Sequence, residues 1–557
     1  MGTHVHKSPA RQARAKSAAL LLWFTLSAAG VQAQVHAVKD VQEKGGSQRH
    51  AAIEAPEGAS VGICIRTVAG DKLLESNASV NFIPASNLKV VTAGTALKNL
   101  GKDFRFRTSL AYSGRIDADG VLTGDLYIIG GGDPTLGSGL RDAFPADSLF
   151  CSWEYEVRRA GIREIRGSVI GDSRRMPAQV NGSWMYEDLC TYYGTACRAL
   201  MFNGNRLDMV IAPGSAEGLP VKTGGNTGRG CGNADDTVVP ENRPWMKIEN
   251  ACTTGAPGSG DRTYLQVSGF APSGRLVGTY AADRKARKIS YSDPFPEFSC
   301  AYGFARHLQE SGIPCTSVTA TSPFHPTATF SGGRRTPVFG FESGGTGARL
   351  TCSGRFIPAD SLTVITSTSS AELWKIVRET LRVSDNLRAE TLLMALSRKT
   401  EEEGRYGSRE DAVAAETRML EDMGLDLSHI RIDDGSGLSR KNSVSPAFMV
   451  EFLTAMASSS CFHDFLSAMN TPGADERLLA GMPADVRSRI RTKSGYMGGV
   501  LCYCGYILPP AGQACRGSHG DPGGDEVTVF SIMMNGTTQP ASELRAFIES
   551  VLSGFLQ

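Results

Sequence analysis

Excess charge of either sign is missing from this chain. Its 557 residues carry 58 Lys and Arg against 57 Asp and Glu, a net charge of +1, so no global field favours nucleic acid or an anionic membrane as partner. Beyond the N-terminal region no apolar run is long enough to span a bilayer. Histidine is scarce, at 9 residues, and none stands in a catalytic motif. Ser436 lacks a Gly-x-Ser-x-Gly elbow because Asp434 and Leu438 occupy its glycine positions, which argues against a Ser-His-Asp hydrolase. No Gly-Lys-Ser/Thr follows Gly130-Gly-Gly-Asp-Pro-Thr135, and Pro134 opposes a helix start there; the stretch reads as a sharp turn rather than a phosphate cradle. Cys502-Tyr-Cys504 has neither Cys-x-x-Cys spacing nor a second ligand pair, which argues against zinc. No metal and no organic cofactor is implied.

What is present begins with size. A chain this long is expected to form two or three domains, and 41% apolar with 21% charged residues is the balance of a soluble globular protein. Lys7, Arg11, Arg14 and Lys16 precede an uncharged run from Ser17 to Val31, and Val31-Gln-Ala33 offers small residues for cleavage. Residues 1–33 therefore read as a secretory signal peptide, which implies export to the periplasm and no transmembrane anchor after cleavage. Residues 34–56 read as a mobile leader. All 13 cysteines follow the signal, so disulfides are expected; their odd number leaves one unpaired in a monomer, and the connectivity cannot be read from sequence.

Along the chain, Ser60–Val68 and Lys72–Asn77 alternate about a Gly70-Asp71 turn, a hairpin expected at one edge of a sheet. Short strands follow at 124–129, 165–172, 208–212 and 262–268, with loops expected from Gly214 to Gly260. A helix is expected over 299–309 and others over 371–382, 387–399 and 408–423. Ile430–Ile432 reads as strand, then 490–495, 500–507 and 527–534 as a meander, and 541–556 as an amphipathic helix. Strands and helices in this order predict an α+β fold.

The chemistry concentrates at Phe82-Ile-Pro-Ala-Ser-Asn-Leu-Lys89. Pro84 fits the first turn of a helix, and Ser86 and Lys89, three residues apart, share its face, so the amine reaches the hydroxyl. Of all serines in the chain, Ser86 alone has lysine at the third following position. A serine with its own base still needs a proton path, substrate donors and an oxyanion hole. Ser384-Asp-Asn386 offers a relaying hydroxyl and an amide; Lys493-Ser494-Gly495, on an expected strand, offers a cation and room for substrate backbone. Two decoys exist. Ser79-Val-Asn81 precedes the nucleophile, and Lys222-Thr-Gly224 leads into a glycine-rich stretch and is not expected at a strand edge.

Ser-x-x-Lys, Ser-x-Asn and Lys-Ser/Thr-Gly in this order resemble the penicillin-recognising serine enzymes. Gly124-Asp-Leu-Tyr-Ile-Ile-Gly-Gly-Gly-Asp-Pro-Thr135, Gly171-Asp-Ser173, Ser384-Asp-Asn-Leu387 and Asp434-Gly-Ser-Gly-Leu-Ser-Arg440, with Asn442 and Pro446, narrow the resemblance. It is to the D-alanyl-D-alanine carboxypeptidase/endopeptidase family of class C low-molecular-mass penicillin-binding proteins, and it extends over most of the mature chain. The resemblance implies a β-lactamase/transpeptidase-like catalytic domain, an antiparallel sheet with helices on both faces, formed by 34–106 and 366–557. It also implies a large, mostly β inserted region of two smaller domains at 107–365.

By the same resemblance Ser86 is the acylated nucleophile, Lys89 its base and Ser384 the proton shuttle. Asn386 is a donor to substrate backbone, and Lys493 binds the terminal carboxylate or supports Ser384. The N–H groups of Ser86 and Tyr496 form the oxyanion hole, Asp172 meets the stem-peptide amine and Arg440 lines the cleft or braces it. Peptidoglycan stem peptides are the implied substrates and β-lactams the covalent inhibitors; a homodimer is left open. The sequence departs from the family pattern in Ser494, in the bulky Tyr496 after Gly495, in Gly473-Ala-Asp-Glu-Arg-Leu478 and in its cysteine count. A β-lactamase shares the acylation chemistry, but no deacylating glutamate can be assigned; a non-catalytic wall-binding protein is the remaining alternative.

Overall fold

The computed structural model describes residues 55–554 apart from 140–142, 178–180, 225–236, 241–242, 268–270, 323, 331–336, 344–360, 399–404, 473–478 and 511–526. The expected signal peptide, nearly all of the leader, and Gly473–Leu478 lie outside the described residues. The catalytic part is built on a five-stranded antiparallel sheet with strands in the order Lys72–Ser76, Ser60–Thr67, Thr528–Asn535, Val500–Ile507 and Ile490–Met497. The hairpin is thus at one edge, as its alternation predicts, and the Lys493 strand is at the other.

Successive side chains of a strand point to opposite faces, so a sheet covered on both sides needs strands apolar throughout. Val61, Ile63 and Ile65 pack with Phe530, Ile532, Leu544 and Ile548 against the C-terminal helix Ala541–Ser553. Cys64, Val529, Met533, Cys502 and Cys504 face the other way, into the core with helices Leu88–Leu100, Leu373–Val383, Asn386–Ala395 and Pro446–Ala457. This α+β arrangement puts the start of the nucleophile helix Leu88–Leu100 beside the Lys493 strand.

Strands Arg107–Tyr112 and Thr363–Ser369 pair antiparallel, so the chain leaves and re-enters the catalytic part side by side. Between them lies a larger mixed sheet in which Glu164–Asp172 runs parallel to both Leu126–Ile129 and Cys315–Ala320. Parallel neighbours need crossover connections, and helices Ala146–Arg159 and Pro296–Glu310 stand in the two connections. The first of these helices is absent from the sequence reading, although Leu149, Phe150, Trp153 and Val157, its buried face, stand at helical spacing.

Three other expectations need correction. Gly214–Gly260 is not loops throughout: Lys222–Gly224, Lys247–Asn250 and Thr253–Gly255 are strands. Lys222-Thr-Gly224 therefore is a strand edge, but of a small sheet with Arg206–Ala212 and Arg287–Ser292 in the insert, apart from the catalytic sheet. Ile430–Ile432 reduces to one bridge between Arg431 and Ser443, because the flanking turns leave it no strand to pair along. Finally, the ten described cysteines are all unpaired thiols, eight of them buried. Most serve as small apolar fillers in separate cores, and Cys502 and Cys504, two residues apart on one strand, are roughly 7 Å from each other, too far to bridge.

Candidate active site

Ser86 lies in a single 3-10 turn, Ala85–Asn87, that feeds directly into the nucleophile helix. Ala85 has a φ of 47°, a left-handed backbone that costs a non-glycine residue of order 1–3 kcal/mol. Gly437 fits beneath this turn: a Cβ there would lie 1.8 Å from the Ala85 carbonyl oxygen. The strained turn leaves Ser86 half-buried while Lys89, one turn on, is fully buried. The Lys89 Nζ donates to Ser86 Oγ at 2.9 Å and to the Ser436 carbonyl at 2.6 Å.

Burial pushes Lys89 down to about 8, against the opposing pull of Asp434, Glu390 and Asp385. Lys493 is also buried; burial first, and then the charge of Lys89, push it down to about 7. Its Nζ donates to the Ser494 carbonyl at 2.5 Å, and among the described residues no carboxylate pairs with it. Two lysines held near neutrality beside one serine hydroxyl suit a base and an anion receptor.

Among the described residues, the outer edge of strand Ile490–Met497 pairs only through a lone bridge between Thr492 and Asn470. Gly495 abuts the nucleophile turn: a Cβ on it would meet the Pro84 oxygen at 2.7 Å and the Ser86 nitrogen at 2.9 Å. The N–H groups of Ser86 and Tyr496 thus belong to adjoining backbones. The Tyr496 side chain is 66% exposed, so it projects to solvent rather than filling the space at Ser86.

Ser384 caps helix Leu373–Val383 in a left-handed conformation, φ 58°, and is half-buried. Among the described residues it makes no hydrogen bond to Ser86, Lys89 or Lys493. Asn386 is buried and its Nδ2 donates to the Tyr193 carbonyl of the insert at 2.9 Å; this engages one of the two amide N–H donors. Asp172 is 2% exposed and held by Arg174, whose Nε donates to Oδ1 at 2.9 Å and whose Nη2 donates to Oδ2 at 2.5 Å. A substrate amine reaches Asp172 only by displacing that guanidinium. Arg440 donates through both terminal nitrogens to the Gly498 carbonyl at 3.2 Å, tying its loop to the turn after Tyr496. Ser494 is half-buried on the same strand.

Two carboxylates of the centre, Glu390 and Glu416, escape the motif reading, and a third, Asp434, heads a motif in which the sequence gives it no role. Asp434 is fully buried and accepts from the N–H groups of Gly437 and Ser439, Asn442 Nδ2 and Trp184 Nε1, at 2.7–2.8 Å. Those four donors explain why Asp434-Gly-Ser-Gly-Leu-Ser-Arg440 folds as a rigid loop beneath Lys89. Glu390, also buried, accepts from Gly435 N at 3.1 Å and Ser436 N at 2.8 Å; burial, then Asp434, push it up to about 8. Glu416 is buried and raised to about 8 chiefly by burial. The only sequence signal for Glu390 and Glu416 is an acidic residue at an apolar helix position.

Residues 48–322 and 356–551 match the D-Ala-D-Ala carboxypeptidase 3 (S13) family. The chain belongs to that family. It is accordingly a serine-type D-Ala-D-Ala carboxypeptidase, a hydrolase. The D-alanyl-D-alanine carboxypeptidase of Actinomadura sp. (strain R39) is 25% identical over 502 residues, covering 87% of this chain and 80% of that one. The D-alanyl-D-alanine carboxypeptidase DacB of Haemophilus influenzae is 28% identical over 152 residues, 27% of this chain and 30% of that relative. The crystal structure of penicillin binding protein 4 (dacB) from Haemophilus influenzae shares the fold, with a TM-score of 0.67 at 20% identity over 90% of this chain and 97% of that one. In this S13 chain no described helix is long and apolar enough to cross a membrane.

Proposed function

We propose that this chain is exported by cleavage of residues 1–33 and acts in the periplasm on peptidoglycan stem peptides, and that β-lactams trap it as an acyl-enzyme on Ser86. The observation that carries the assignment is the buried Lys89 amine 2.9 Å from Ser86 Oγ. Neutral Lys89 takes the hydroxyl proton as Oγ bonds to the carbonyl carbon before the terminal D-alanine or the cross-link. The oxyanion meets the N–H groups of Ser86 and Tyr496, donors that cost no reorganisation at the moment of reaction.

The substrate backbone lies along the open edge of strand Ile490–Met497 as an added strand. Lys493, with donors to spare, receives the terminal carboxylate. Ser384 passes the proton to the departing amine, and water then releases the acyl group. Asn386 keeps one amide N–H on the insert and donates the other to a substrate backbone carbonyl. Arg440 shapes the rim at Gly498, and Asp172 reads the stem amine when Arg174 yields.

The test is a fluorescent penicillin mixed with the mature protein, followed by denaturing gel and intact mass, with Ser86→Ala beside it. A slowly decaying adduct on wild type alone is expected, and muropeptide cleavage by wild type alone should accompany it. Rapid drug turnover without adduct points to a β-lactamase; no adduct and no turnover point to a wall-binding protein.

A further inference from the structure

The backbone just before the nucleophile is held from two directions. Phe82 exchanges hydrogen bonds with Val444, its N–H donating at 2.9 Å and its carbonyl accepting at 3.0 Å. Ile83, the next residue, has both backbone groups engaged by one side chain: its N–H donates to Asn535 Oδ1 at 2.8 Å, and its carbonyl accepts from Asn535 Nδ2 at 3.2 Å. That pairing fixes the amide's orientation, since only Oδ1 can accept and only Nδ2 can donate. The Cys502 thiol lies 3.6 Å from the same carbonyl. For Ile83 the amide does what a neighbouring strand does in a ladder.

Asn535 is half-buried and ends strand Thr528–Asn535, where it stands opposite Ser60 on one side and Val500 on the other. Val500 pairs in turn with Met497 across the Gly498-Gly499 turn, and Met497 follows Tyr496. The Thr537 N–H donates to the Gly499 carbonyl at 3.2 Å, tying that turn to the same strand end. On the other side, Ile83 reaches Ser86 through Pro84, whose ring fixes φ and whose carbonyl accepts from the Asn87 N–H at 3.2 Å. One side chain therefore connects the backbone that carries the Ser86 N–H with the backbone that carries the Tyr496 N–H.

The connection matters because the nucleophile turn is strained at Ala85, φ 47°, and a strained backbone persists only where its surroundings over-determine it. Gly437 and Gly495 limit how closely the turn is approached, but they are walls and exert no hold. Asn535 supplies a hold. We propose that Asn535 is a positioning residue for acylation: by anchoring Ile83 to the strand end beside the Tyr496 turn, it sets the separation of the two N–H groups that receive the oxyanion.

This inference rests on Ser86 and Tyr496 being the oxyanion donors. The experiment is stopped-flow acylation of the mature protein by a chromogenic cephalosporin, which resolves the first-order acylation constant from the dissociation constant of the non-covalent complex. Asn535→Leu keeps the volume and removes both bonds; Asn535→Asp keeps an acceptor for the Ile83 N–H and removes the donor. In each, the acylation constant should fall about tenfold or more, part of the 10²–10³ that loss of a whole donor costs, while the dissociation constant stays within about threefold. Gly495→Ala displaces the same turn, so the double variant with Asn535→Leu should acylate within about threefold of the slower single variant, since two changes that spoil one separation do not multiply. Losses that multiply, a fall carried by the dissociation constant, or an unchanged acylation constant at lowered melting temperature would make Asn535 a structural residue only and overturn the proposal. Failure of wild type to label at Ser86 would instead remove the functional reading beneath it.

Discussion

Gly495 stands so close to Ser86 that a Cβ on it would lie 2.9 Å from the Ser86 nitrogen. Real Cβ atoms do not tolerate this distance to backbone, so any side chain at 495 must push the nucleophile turn and its strand apart. Gly495→Ala should therefore separate the two oxyanion donors while leaving the core intact. Loss of one such donor costs about 10²–10³ in rate, and the second-order rate of penicillin acylation should fall by that order with the melting temperature within a few degrees of wild type. Acylation within threefold of wild type would show that the hole is built elsewhere.

Acylation requires Lys89 neutral, and Lys89 is held at about 8 by burial. Below that value the free base diminishes roughly tenfold per pH unit, so the rate should rise about tenfold from pH 6 to pH 7 and level off above pH 8. Lys493, at about 7, must be charged to receive a carboxylate, and so loses affinity as pH rises. KM for a substrate with a free terminal carboxylate should climb above pH 7, and KM for its methyl ester should not. Steady-state kinetics on the two substrates decide the point.

Tyr496 is 66% exposed, and the proposed oxyanion hole uses its backbone N–H, not its ring. Tyr496→Ala should leave penicillin acylation within about threefold of wild type, the usual range for a surface change. A large gain in rate would mean that the ring obstructs the cleft after all.

Trp184 reaches from the insert to Asp434, its indole N–H donating to Oδ2 at 2.8 Å in a buried site. Trp184→Phe removes one donor from that carboxylate and should destabilise the fold by about 1.5–3 kcal/mol, as for a hydrogen bond to a charged group. Chemical denaturation measures this. Acylation should weaken too, because Asp434 fixes the loop that offers its Ser436 carbonyl to Lys89.

The chemistry was legible where it is local. Ser86 and Lys89 meet because helix geometry brings residues three apart to one face, and the hairpin, the meander and the C-terminal helix follow from alternation and amphipathic spacing. Elements with equally plain patterns were passed over, such as Ala146–Arg159, whose apolar face stands at helical spacing. Lys222-Thr-Gly224 shows the converse: a motif, and even the strand edge not expected there, can be present in the wrong sheet.

Sequence alone determined which family the chain resembles and which side chains are the candidates for acyl transfer, because those motifs are short and their geometry is set within a turn or a strand. Tertiary structure alone decided what surrounds them. Asn386 is engaged by Tyr193 and Asp434 by Trp184, and Glu390 lies buried under the loop that holds Lys89. Such pairings join residues up to hundreds of positions apart, and the proton affinity of a buried group depends on the whole shell around it, which no local pattern encodes.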